Sequence, residues 1–268
     1  DIETTLASHR DRLYHLGASE PARSTLSDAN KKRPAALFAD LFGAVLKQVD
    51  PGLRRHAREA LHLIDATSIR LSDLSLDWAD YARHGASMKM HIDYRADKEV
   101  PVHFEVTPAR VHDITPVRHW TIESGSTYVF DLGYYDFAWF AKLNAHDCRF
   151  VTRLKSHSRP RVLAEMPVAD GGAIRADRHV AIDGRLASMR AQLNPLKGLI
   201  LREIVVVIET GTVLRPLTND LAASAEEIAD IYKARWQVEL FFRWVKQNLK
   251  IKRFIGVSEH AIRIQIAV

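Results

Sequence analysis

Three carboxylates stand out for the company they keep. Asp65 lies in Leu63-Ile64-Asp65-Ala66-Thr67, and Asp131 ends Val129-Phe130-Asp131 ahead of Leu132-Gly133-Tyr134. Glu239 is the only acid between Tyr232 and Arg253, where seven bases stand: Lys233, Arg235, Arg243, Lys246, Lys250, Lys252 and Arg253. Hard divalent cations take oxygen ligands, and a two-metal phosphoryl-transfer site needs carboxylates converging on ions about 3.5–4 Å apart. One acid inside a basic strip suits a metal ligand surrounded by phosphate binders. The ordinary alternatives are a buried, hydrogen-bonded Asp or a strand-end cap for Asp65 and Asp131, and a solvated helix face for the basic run.

Helical geometry bears on that choice. The run from Ser224 to about Lys250 reads as one long helix, with Glu226 and Glu227 in its first turn and bases toward its end, as the helix dipole favours. At 100° per residue, Tyr232, Arg235, Glu239 and Lys246 fall in a sector of about 60°. Beside it runs an apolar stripe of Ile231, Val238, Phe242, Val245 and Leu249, wide enough to dock on a sheet. A solvated face would set its charges opposite the core, whereas these lie next to it, where a helix meets a cleft. Trp236 flanks the strip.

The elements that must hold these groups can be read from the pattern. Residues 1–58 read as short helices with scattered bases, suiting either DNA contacts or a plain helical region. Leu37, Phe38, Leu41, Phe42, Val45 and Leu46 recur at helical spacing, and Asp50-Pro51-Gly52 stops them. Leu61–Leu71 is a candidate strand. Met88, Met90 and Ile92 alternate with Lys89, His91 and Asp93, and Val100–Val106 completes a hairpin. A helix start follows at Thr115-Pro116, then a strand at Tyr128–Asp131, a helix at Phe137–Leu143 and a strand at Arg149–Leu154. Short β-like runs broken by Pro and Gly fill 156–215, and Leu214–Thr218 precedes the last helix. The expected fold is α/β: a core over 59–155 and 216–268 with a mixed five-stranded sheet and flanking helices, resembling the ribonuclease-H-like order, a β-rich insertion over 156–215, and the N-terminal helical region. In that order the first and fourth strands are central neighbours, so Asp65 and Asp131 would meet.

Composition narrows the classes. With 47% hydrophobic and 26% charged residues, wholesale disorder is excluded. The net charge of +5 permits a polyanionic partner without establishing one. The lone Cys148 excludes an internal disulfide framework and a four-cysteine zinc site, and fits a reducing compartment. The longest aliphatic run, Ile204–Ile208, is far short of a membrane span, and no stretch reads as a signal peptide. A start at Asp1 and an end inside an amphipathic run suggest a piece of a longer protein. Of the thirteen histidines, only His91 is kept as a candidate to orient a ligand or phosphate. His112-Asp113 and His146-Asp147 read as surface or capping residues, and Asp73, Asp77, Asp93 and Asp136 as turn or surface acids.

Tyr232-x2-Arg235-x3-Glu239-x6-Lys246 resembles, with every spacing kept, the Y-R-E-K signature of bacterial insertion-sequence DDE transposases of the IS-four family. The surroundings are similar too: Asp65-Ala-Thr-Ser-Ile, Lys89-x-His91, Phe130-Asp131-x-Gly133-Tyr134, Phe150-Val-Thr-Arg-Leu-Lys155 and Leu217-Thr-Asn-Asp-Leu221. The resemblance implies that Asp65, Asp131 and Glu239 are catalytic and bind metal, with Mg²⁺ or Mn²⁺, as two ions. It implies DNA contacts by Tyr232, Arg235 and Lys246, with Trp236, Arg243 and Lys250 alongside. It further implies double-stranded DNA partners (transposon ends and target), a homodimer in the DNA complex, and a bacterial cytoplasmic, nucleoid-associated location. The expected activity is cut-and-paste transposition, through a hairpin or another route. Leu132 departs from the Arg usual in the family after the second Asp. A non-catalytic DNA-binding remnant or inhibitor, and a two-metal nuclease without strand transfer, are the alternatives.

Overall fold

The computed structural model describes residues 2–15, 17–49, 60–79, 85–182, 194–248, 254 and 256–268. The helix stop at Asp50-Pro51-Gly52, the boundary at 58/59, and Lys250, Lys252 and Arg253 lie outside the described residues. The N-terminal region is helical, as α1 (Ile2–Ala7), α2 (Arg10–His15), α3 (Arg23–Lys32) and α4 (Ala36–Val49). Leu37, Leu41 and Val45, which recur at helical spacing along α4, are exposed.

The strands are β1 (Leu61–Arg70), β2 (Ser87–Arg95), β3 (Val100–Pro108), β4 (Thr127–Phe130) and β5 (Arg149–Arg153), with the short α5 (Leu76–Ala79) and α6 (Ile114–Val117) and the longer α7 (Phe137–Ala145) between them. They pair in the order β3-β2-β1-β4-β5. β2 runs antiparallel to β1 and β3, while β4 is parallel to β1 and β5 to β4. This is the ribonuclease-H-like arrangement.

The sheet does not stop at five strands. β6 (Arg161–Met166), β7 (Ile174–Ala181), β8 (Leu201–Val207) and β9 (Val213–Leu214) belong to the insertion, and β10 (Pro216–Thr218) joins β8 to β5. The expected five strands are therefore part of one ten-stranded sheet. β10 bonds backbone to backbone on both edges, so the sheet continues where a separate insertion was expected. A buried bidentate pair, Arg202 to Asp177 at 2.8 and 2.6 Å, ties β8 to β7, and Arg215 donates to the buried Glu203 at 2.6 Å.

The expected single helix is two, α8 (Ala225–Ala234) and α9 (Trp236–Asn248), followed by α10 (Glu259–Ala267). Ser224 and Glu227 close a capping box at the start of α8. At Arg235 the ladder tightens: its N–H donates to Tyr232 and its C=O accepts from Val238, both three residues away. The backbone there stays right-handed helical.

Alternation across the strands splits the core. Leu63, Val129, Val151 and Ile204 pack with Ile228, Val238, Phe242 and Val245 of α8 and α9. Ile64, Phe130 and Phe150 point the other way, into an aromatic cluster with Trp139 and Phe140 of α7. No helix among the described residues is long and apolar enough to cross a membrane.

Candidate active site

Strand parity builds the site. Residues two apart on a strand share a face, so Asp65 and Asp131 continue the face of Leu63 and Val129, the one that α8 and α9 cover. The parallel register ends at Ile64 opposite Phe130, so the next residues, Asp65 midway along β1 and Asp131 just past the end of β4, emerge side by side where the two strands part. The β4–β5 register, Val129 opposite Val151, places Arg153 next in the row. Across from them α9 packs on β1 and presents Glu239.

The result is an open cleft of about 1240 Å³ lined by all three carboxylates and by Arg153, Arg235, Arg243 and Lys246. Asp131 caps the short 3₁₀ turn Leu132–Tyr134, accepting the Gly133 N–H at 2.7 Å. Asp65 accepts the Ala66 N–H at 2.8 Å. The Arg235 guanidinium donates to Glu239 at 2.6 Å and reaches Asp65 at 3.5 Å. Burial above all, with the charges of Asp131 and Glu239, raises the Asp65 carboxyl to about 7 against the opposing pull of the Ala66 N–H and Arg235. Three convergent oxygen donors fit a hard divalent cation in kind. Among the described residues, no three His, Cys, Asp or Glu side chains are gathered closely enough to hold an ion in this arrangement. Arg235, lying between Asp65 and Glu239, carries the positive charge there instead.

The remaining sequence candidates separate. Tyr232 is buried and, with Trp236, lines a neighbouring cavity of about 710 Å³ that shares Arg235 with the cleft. Trp236 is half exposed, and the Arg243 guanidinium lies 5.8 Å from its ring centre. His91 does not reach the cleft: it is fully buried, bonded to the Thr107 hydroxyl at 2.8 Å, and burial lowers its pKa to about 4. Asp93, expected at the surface, is buried against His62.

Two residues near the cleft were missed. Arg153 stands in the quoted Phe150–Lys155 motif, and counting parity from Val151 would have found it. Asp113, read as a surface or capping residue, stands at the N-cap of α6 and accepts from Lys89 at 2.7 Å. A Cβ on Gly133 would stand 2.9 Å from its Oδ2 and 3.0 Å from Asp131 Oδ1. Tyr134 is buried nearby, and burial and the charges of Asp65, Asp113 and Asp131 raise its pKa.

Residues 57–268 match the family described as the transposase DDE domain. The chain belongs to this family. Among proteins similar to the DDE-domain chain, y4zB of Sinorhizobium fredii, whose name assigns it to the transposases, is 39% identical over 92% of the chain and 68% of its own length. A Geobacillus stearothermophilus protein named for the transposase of insertion sequence element IS5377 is 28% identical over 91% of the chain and 63% of its own length. A Synechocystis protein named for that of element IS4SA is 24% identical, over 98% and 73%. The chain thus spans about two thirds of the length of these curated relatives.

Proposed function

We propose that this DDE domain cuts DNA at the ends of an insertion element and joins the freed ends to target DNA. The observation that carries the reading is the single cleft shared by Asp65, Asp131 and Glu239 with four bases, where the parallel pairing of β1 and β4 ends. Asp65, Asp131 and Glu239 would hold two divalent ions, Mg²⁺ or Mn²⁺. Bound there, the ions would supply activation of the attacking oxygen and stabilisation of the leaving one.

The chain's own groups do the rest. Arg153, Arg243 and Lys246 neutralise the phosphates on either side of the scissile bond and hold the strand in line. Arg235, paired with Glu239 at 2.6 Å, would turn to the DNA backbone were Glu239 to hold an ion. Tyr232 and Trp236 border the strand beside the second cavity. Water attacks a phosphodiester at the element's end and breaks its P–O3′ bond, leaving the phosphate on the flanking 5′ end, and the freed 3′-OH then attacks a target phosphodiester, displacing that strand's own 3′-oxygen. In this reading the insertion closes over the element's end, residues 1–58 add DNA contacts, and the complex is a homodimer.

Labelled element-end DNA incubated with the protein, Mn²⁺ and target plasmid tests the proposal. Joined product supports transposition. Nicking alone reduces the reading to a nuclease, and binding without cutting to a non-catalytic remnant.

A further inference from the structure

We infer that the cleft continues along the open edge of β1 as a second DNA track, which takes the strand running beyond the cut phosphodiester. The inference rests on the transposase reading and extends it. Pairing of β1 with β4 ends at Ile64, and among the described residues no strand lies on that edge beyond it. On the opposite edge β1 stays paired with β2 as far as Arg70. Leu71 N–H donates toward β2, to Ala86 O, while Ala66 N–H donates to the Asp65 carboxylate. Alternation therefore turns the N–H groups of Ser68 and Arg70 to the open edge.

A cavity of about 780 Å³ lies along this edge, lined by Ser68, Arg70, Ser72 and Lys246, with Phe254 and Val257 among its apolar walls. Lys246 lines both this cavity and the carboxylate cleft, so the two adjoin. No carboxylate lines the second cavity among the described residues. Arg70 is exposed and makes no ion pair among the described residues. From Asp65 to Arg70 the strand advances about 16 Å at roughly 3.3 Å per residue. Edge-facing N–H groups, two cations, the hydroxyls of Ser68 and Ser72 and apolar walls suit a nucleic-acid strand, which alternates phosphates with apolar base faces. An extended peptide could also pair with an open edge, but a cavity lined by Arg70 and Lys246 and, among the described residues, by no carboxylate favours the polyanion.

The test compares two labelled DNAs on the 268-residue chain: an element end stopping at its 3′-OH, and the same end continued by flanking sequence. For Arg70→Ala, and separately for Ser68→Glu, affinity for the continued strand should fall several-fold. With Arg70→Ala its salt slope should drop by about one phosphate contact. Affinity for the stopped end should stay unchanged. If both variants bind the continued strand like the wild type, or lose affinity for both DNAs equally, the track is refuted. If the wild-type chain binds neither DNA, the transposase reading itself fails first.

Discussion

Gly133→Ala probes how tightly the site is built. The Gly133 backbone lies outside the left-handed region, so alanine meets no dihedral strain and only the space is tested. The new methyl would stand 2.9 Å from Asp113 Oδ2 and 3.0 Å from Asp131 Oδ1, about half an ångström inside ordinary contact. The Asp113 carboxylate is anchored through its other oxygen, Oδ1, which accepts from Lys89 at 2.7 Å, and Asp131 Oδ1 itself is held by the Gly133 N–H at 2.7 Å. Overpacking of this kind costs about 1–3 kcal/mol. Displacing a reacting group by a fraction of an ångström to one ångström slows chemistry by about ten- to a hundredfold. Single-turnover cleavage of element-end DNA in Mn²⁺, alongside urea unfolding and DNA affinity, reads the three effects apart. The expected result is slow cleavage in a folded protein that still binds DNA. Wild-type cleavage in the folded variant, or a loss accounted for by weaker DNA binding, would refute the reasoning.

Glu239→Gln should abolish cutting while leaving end-DNA affinity within a few-fold, measured by gel cleavage and by fluorescence anisotropy. Arg153→Ala should weaken end-DNA binding and lower the salt slope by about one; an unchanged slope removes Arg153 from the phosphate contacts. His62 is a test of stability. Burial opposes its charge, but Asp93 at 2.8 Å and Glu123 outweigh this and hold its pKa at about 9. A raised folded pKa gives stability that is complete below pH 6.5 and lost as pH rises through 9, about 3 kcal/mol in all. Urea midpoints of the wild type should fall across that window, and those of His62→Gln should fall less; equal falls would exclude the His62–Asp93 pair as the cause.

Much of the core was legible because its signals are local. The period of two over Met88–Ile92 marks β2, and the Ser224 cap marks the start of α8. Asp93 was read as a turn or surface acid, and His91 was kept because its strand neighbours that of Asp65, yet both are buried. Both faces of β2 are covered, so the polar residues of the pattern meet a second packed layer rather than water. Joining the insertion to the sheet through β10 depends on pairing Leu217 with Thr152 and Glu203, contacts between distant segments that no local period encodes. The helical wheel found Arg235, Glu239 and Lys246, but a uniform step missed the tightening at Arg235, and Tyr232 belongs to the adjoining cavity. Asp113 was passed over because its role comes from Lys89 and Gly133, which are remote in sequence.

Manganese-soaked crystals, read by anomalous scattering, measure the central claim most directly. The account predicts Mn²⁺ peaks touching Asp65 and Asp131, with Glu239 released from Arg235 and turned toward them. Saturating Mn²⁺ that leaves no peak between these carboxylates, with Arg235 still bridging Asp65 and Glu239, would contradict it.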